Sequence, residues 1–123
     1  MRNPLLFTYM LFLMACSDIP DLENINPEQW KADKGGCESY RITVVDTLLS
    51  QKDKLKGLSQ NEVISLLGQA DQHELYERSQ KFFIYHLEPG MNCENYENQY
   101  FKAFYIRFNA LDQAIDFNIQ KIK

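Results

Sequence analysis

The chain has 123 residues, 45% of them hydrophobic, 24% charged and 13% aromatic, with 5 Gly, 4 Pro and 3 Cys. That is the make-up of one small globular domain, and it excludes collagen-like, disordered and multi-domain classes. A formal net charge of −4 supplies no basic field to hold a phosphate backbone, so no nucleic-acid partner is expected.

In chain order, residues 1–15 combine a short basic start at Arg2, an apolar stretch from Pro4 to Met14 and a small residue, Ala15. Such a stretch gives roughly 18 Å of helix, well short of the roughly 30 Å hydrocarbon core of a bilayer, so it reads as a secretory signal and not as a span. Its end, Leu13-Met14-Ala15-Cys16, resembles the lipobox of bacterial lipoproteins, in which the cysteine is acylated and becomes the new N-terminus. Cys16 is therefore the expected lipidation site, against the plainer alternative of a buried apolar helix that happens to contain it. Each buried methylene contributes about 0.8 kcal/mol, so several acyl chains make a lasting anchor where one is marginal. Residues 16–25, with the polar and acidic run Ser17-Asp18-Ile19-Pro20-Asp21-Leu22-Glu23, have too little apolar content to fold alone and are expected as a flexible tether. The membrane is then a partner through the acyl chains on Cys16, and the expected location is the bacterial cell envelope. By resemblance to enterobacterial sorting, Ser17 after the cysteine points to the outer membrane.

Residues 26–123 are expected as one α+β domain. Asn26-Pro27-Glu28 is a helix-start signature, with a capping Asn, Pro at the first helical position and an acid in the first turn. Gly35-Gly36 is the expected stop. From Cys37 to Lys54, Ile42, Val45, Leu48 and Leu49 recur at helical spacing while Glu38, Arg41, Asp46 and Lys52 lie elsewhere around the turn, which predicts an amphipathic helix. The β-branched run Ile42-Thr43-Val44-Val45 pulls locally toward strand. Ser59-Gln60-Asn61-Glu62 fits a capping box, opening a helix whose apolar face is Val63, Ile64, Leu66 and Leu67 and whose end is Gly68.

After Gly68 the apolar period falls to two. Strands are predicted over residues 72–77, 81–87, 100–108 and 113–119, with a hairpin turn at Arg78-Ser79-Gln80 and a long loop from Met91 to Gln99. The expected fold class is α+β: two to three N-terminal helices packed on one face of a four-stranded antiparallel meander. Phe83, Tyr85, Leu87, Phe104, Ile106 and Phe108 make the apolar face. On the opposite face Phe82, Phe101 and Tyr105 are candidates for an exposed aromatic patch facing a partner, the favoured expectation being that the 91–99 loop covers them.

With Cys16 assigned to lipid, Cys37 and Cys93 remain as an even pair in a compartment that permits disulfides. A bridge between them closes a loop of about 57 residues, for which chain entropy predicts on the order of 4 kcal/mol. The alternatives are two free buried thiols, or a metal site made of Cys37, Cys93, His73 and His86. The four show no CxxC or HxxxH spacing.

Leu55-Lys56-Gly57-Leu58-Ser59-Gln60-Asn61-Glu62-Val63-Ile64-Ser65-Leu66-Leu67-Gly68-Gln69-Ala70-Asp71 resembles the L-x-G-M-[ST]-x-x-[ED]-V-x-x-L-L-G-x-P-D signature of the SmpA/OmlA (BamE-like) outer-membrane lipoproteins. The ending from Phe104 to Ala114 is similar to the closing strand of that family, so the likeness covers about residues 53–119. It implies helices on a sheet as in the β-lactamase-inhibitor-protein fold, and an envelope protein partner in the β-barrel assembly machinery. Ala70 stands where that signature has Pro, and Ala110-Leu111-Asp112 lacks its turn Gly.

No G-x-S-x-G, H-E-x-x-H or phosphate-cradling Gly motif occurs. His73 and His86 stand alone, Glu94 and Glu97 are a loosely spaced acidic pair in the long loop, and Ser59 is explained by capping. No catalytic residue, cofactor, metal or small-molecule substrate is expected. The expected function is a non-enzymatic binding or scaffold module anchored to a membrane, the alternative being a periplasmic inhibitor or ligand-binding protein built on the same fold.

Overall fold

The computed structural model describes residues 19–96 and 99–123. It contains α1 (Pro27–Ala32), a 3-10 turn (Lys34–Gly36), α2 (Tyr40–Ser50), α3 (Lys52–Leu55) and α4 (Gln60–Leu67). The strands β1 (Gln72–Tyr76), β2 (Gln80–His86), β3 (Phe101–Phe108) and β4 (Ala114–Ile122) follow. They form one antiparallel sheet in sequence order. The α+β meander expected from the change of apolar period is the fold observed.

The helix ends are set by side chains. Asn26 Oδ1 accepts the N–H groups of Glu28 (2.9 Å) and Gln29 (3.3 Å), with Pro27 at the first helical position. The first helix stops at Ala32, earlier than the Gly35-Gly36 pair predicts, and α2 opens at Tyr40 instead of Cys37. Asp33 accounts for both differences. Its carboxylate accepts N–H groups from Glu38 (2.7 Å) and Arg41 (2.9 Å), so the chain must turn before the second helix can form. Ser39 is left-handed in that turn (φ 60°). The predicted single helix to Lys54 is also broken at Gln51. The β-branched run nevertheless stays helical: burial of Val45 and Leu48, worth about 1.5–3 kcal/mol each, exceeds propensity differences of a few tenths.

The fourth helix carries the predicted capping box. Ser59 Oγ accepts from Glu62 N–H (3.1 Å) while Glu62 Oε1 accepts from Ser59 N–H (2.9 Å). Asp112, in the β3–β4 turn, accepts the next N–H, that of Gln60, at 3.1 Å. The same end of the helix layer is tied to the sheet by Gly57 N–H donating to the Ala114 carbonyl and Ala114 N–H to that of Leu58.

The principal core lies between the helices and one sheet face, where Trp30, Val45, Leu48, Leu55, Val63 and Leu67 meet Phe83, Tyr85, Phe104, Ile106, Phe108 and Phe117. Arg41, read from the sequence as part of the polar side of α2, is 1% exposed. Residues 19–25 correct the tether expected over 16–25. Leu22 and Ile25 pack on the core, and the Glu23 backbone exchanges two hydrogen bonds with the Gln51 amide (2.7 and 2.8 Å). The expected signal segment 1–15 and Cys16 lie outside the described residues. Among the described residues no helix is long and apolar enough to cross a membrane.

Candidate functional site

The most organised polar site is a buried clamp that joins α1, α2 and the C-terminal end of β2. Arg41 leaves α2 toward the sheet, and its Nε donates to the Trp30 carbonyl at 2.9 Å. Its Nη1 donates to Asp71 Oδ2 at 2.7 Å and to the His86 carbonyl at 3.1 Å. The guanidinium carbon sits 5.3 Å from the centre of the Trp30 ring and 5.5 Å from that of Tyr85. A buried cation is tolerated only when its donors are paired and its charge is compensated, and this one has both an anion and two aromatic faces.

Asp71 is the second hub. Besides Arg41 it accepts Gly35 N–H at 2.8 Å and His86 N–H at 2.7 Å. Asp33, 1% exposed, holds the N-terminus of α2 beside it. Two carboxylates therefore fix the 3-10 turn, the start of α2 and the end of β2 relative to one another. Burial pushes the Tyr85 phenol up, and its hydroxyl donates to the Gly68 carbonyl at 2.8 Å. Burial likewise holds the His86 imidazole below its ordinary value; the Asp71 charge opposes that shift and the Arg41 charge adds to it.

Cys37 and Cys93 form a disulfide with their Cα atoms 5.5 Å apart. This is the first of the three pairing alternatives and displaces the free thiols and the four-residue metal site. His73 and His86 do not come together. His73 is exposed at the edge strand and lies 4.7 Å from the Phe83 ring, whereas His86 is buried against Phe101. The bridge holds the long loop against the 3-10 turn, where Asn95 Nδ2 donates to the Cys37 carbonyl at 3.2 Å. Glu94 is exposed there, and Glu97 lies outside the described residues.

The aromatic patch is corrected. Phe101 and Tyr105 are buried and Phe82 is half-buried. Phe101 lies under Gly90, where a Cβ would come within 3.0 Å of its ring, and against His86 at 4.7 Å. Tyr105 joins Ile84 and Ala103 in a second, smaller cluster with Phe82 at its border. Burial and then the Glu74 charge push the Tyr105 phenol up. These side chains build the domain and do not present an open aromatic surface.

The clamp's main members were not singled out by sequence reasoning. Arg41 and Asp71 are thirty residues apart; Arg41 belongs to no motif, and Asp71 is the closing acid of the Leu55–Asp71 signature without any sign there that it pairs with Arg41. Only the apolar neighbours of Arg41 at Ile42, Val45 and Leu48 hint that its stretch of helix faces inward. The hydrogen bonds of Arg41, Asp71 and Asp33 tie three elements together, whereas Trp30 Nε1 and His86 Nε2 beside them are buried without a hydrogen-bond partner. Among the described residues no group of three or more His, Cys, Asp or Glu side chains is placed to hold a metal ion. No family model, no curated protein and no solved structure matches this chain.

Proposed function

We propose that the chain is a bacterial envelope lipoprotein, anchored through acyl chains on Cys16, that works as a non-enzymatic binding or scaffold module. The observation that carries this reading is the Cys37–Cys93 disulfide in a small domain that follows a lipobox-like Leu13-Met14-Ala15-Cys16. Structural disulfides persist in oxidising compartments, the compartments to which a secretory signal leads. The consumption of Arg41, Asp71 and Asp33 in structural hydrogen bonds supports a positioning role over a catalytic one. The resemblance to the SmpA/OmlA family over residues 53–119 supports a place beside the outer-membrane β-barrel assembly machinery.

The alternative of a periplasmic inhibitor draws its support from an open aromatic face, and Phe101 and Tyr105 are buried. The test is mass spectrometry of the protein from its native host, together with capture of tagged material from detergent-solubilised envelopes. The expected result is a diacylglyceryl-modified N-terminal Cys16, lost in Cys16→Ala, with barrel-assembly proteins co-purifying. An unmodified chain that retains Met1 overturns the anchor. Capture of no assembly component overturns the assembly role.

A further inference from the structure

Strand β1 is the feature that the core, the clamp and the proposed anchor leave unused. It is an edge of the sheet, every one of its five residues is exposed, and Leu75 is 82% exposed on the face that the helices cover elsewhere. Edge strands present a row of unpaired N–H and C=O groups, and natural proteins blunt them with bulges, lysines, prolines or covering segments. The opposite edge is blunted in this way. A register shift lies between Arg107 and Phe108 where β3 meets β4, Lys121 sits near the end of β4, and its first residue, Ala114, is tied to Gly57 and Leu58. The sequence of β1, Gln-His-Glu-Leu-Tyr, contains neither Lys nor Pro, and its pairing with β2 runs without a shift.

We propose that β1 is a self-association edge, pairing antiparallel with β1 of a second copy about a two-fold axis at Leu75. The choice of occupant follows from complementarity along the strand. Directly opposed residues of an antiparallel pair share a face. Centring on Leu75 therefore sets Leu75 against its equivalent, Glu74 against Tyr76, whose phenol can donate to the carboxylate, and His73 against Glu77. No like charges oppose one another in that register. Centring on Glu74 would put two carboxylates face to face, and centring on Tyr76 would set both left-handed turn residues, Arg78 and Ser79, opposite Glu74 and His73, whereas centring on Leu75 brings in Arg78 alone, opposite the end residue Gln72. The isologous pairing joins two four-stranded sheets into one and covers the exposed leucine.

The test uses the full chain purified from its host, with single cysteines introduced by Leu75→Cys, Glu74→Cys, Tyr76→Cys and, as a control of similar exposure on a distant turn, Leu111→Cys (78% exposed in the parent). Under a mild oxidant, Leu75→Cys is expected to give cross-linked dimer at least about tenfold faster than Leu111→Cys. Glu74→Cys is expected to cross-link with Tyr76→Cys but not with itself, because only opposed Cβ atoms approach within about 4.5–5.5 Å. Leu75→Lys, which leaves an exposed site folded, is expected to shift the sedimentation profile to monomer. Equal cross-linking of Leu75→Cys and Leu111→Cys, self-linking of Glu74→Cys, or a dimer unaffected by Leu75→Lys each overturns the proposal. Loss of the anchor alone leaves it standing.

Discussion

The two ends of β2 are built on opposite plans. At its C-terminal end His86 is fixed by Asp71 and Arg41, beside the 3-10 turn to which Cys93 is bonded through Cys37. At its N-terminal end β2 pairs with the end of β3 on one side, where Arg107 Nη1 donates to Gln80 Oε1 at 3.3 Å, and has only the hairpin turn and the bare strand β1 on the other. Apolar burial by the helices serves the middle of the sheet, polar and covalent ties hold one end, and fewer hold the other. Ordering a chain costs about 1–2 kcal/mol per residue, so the end with few compensating contacts is the one free to open or to pair with something else.

The contrast breaks most severely if the covalent tie is removed. Cys37→Ser with Cys93→Ser releases a loop spanning 56 residues of separation, and the expected loss is on the order of 4 kcal/mol by denaturant unfolding under oxidising conditions. The parent and the double variant should converge in reductant. Next comes Arg41→Met. It leaves the Asp71 carboxylate without its cation but still bonded to the N–H groups of Gly35 and His86. The expected destabilisation therefore falls near the lower end of the range for a broken buried pair, about 3 kcal/mol. Adding Asp71→Asn should not recover it, because the new amide NH2 would face one of those two N–H donors.

At the other end the difference can be reduced. Gln80 N–H donates to the Glu77 carbonyl at 3.3 Å across a turn in which both Arg78 (φ 60°) and Ser79 (φ 63°) are left-handed. That backbone favours Asn-Gly, and a non-glycine residue there costs roughly 1–2 kcal/mol. Arg78→Asn with Ser79→Gly is expected to raise stability by about 1 kcal/mol, read as a higher denaturation midpoint at unchanged slope.

The smallest effect is on pH dependence. Burial lowers the His86 pKa in the folded chain, so below its ordinary value near 6.5 the unfolded chain binds the proton that the folded chain resists. The stability associated with the neutral ring is present above that value and is lost as pH falls toward the folded pKa. His86→Gln should flatten the decline in melting temperature between about pH 7 and pH 5.

Much of the architecture was legible because it depends on local pattern. Ser59 and Glu62 announce a helix start through bonds three residues apart, and the alternation from Lys102 to Phe108 places each side chain on its observed face. The end of the first helix was misplaced because Asp33 acts on residues five and eight positions ahead, beyond the reach of a glycine rule. The fate of the aromatics lies beyond local pattern for a similar reason: alternation assigns Phe101 and Tyr105 to a face, but their burial depends on what packs over them, Gly90 and His86 over Phe101 and the Ile84–Ala103 cluster around Tyr105.

The sequence by itself determined the succession of helices and strands, the sheet order and the even pair of cysteines available for a bridge, since periodicity and capping are short-range properties of the chain. Only the tertiary structure decided that Arg41 lies inside, that Asp71 holds it, that residues 19–25 dock on the body and that β1 is left bare. Each of these depends on which distant segments come within hydrogen-bonding or van der Waals reach, and that is a consequence of packing in three dimensions that no spacing along the chain encodes.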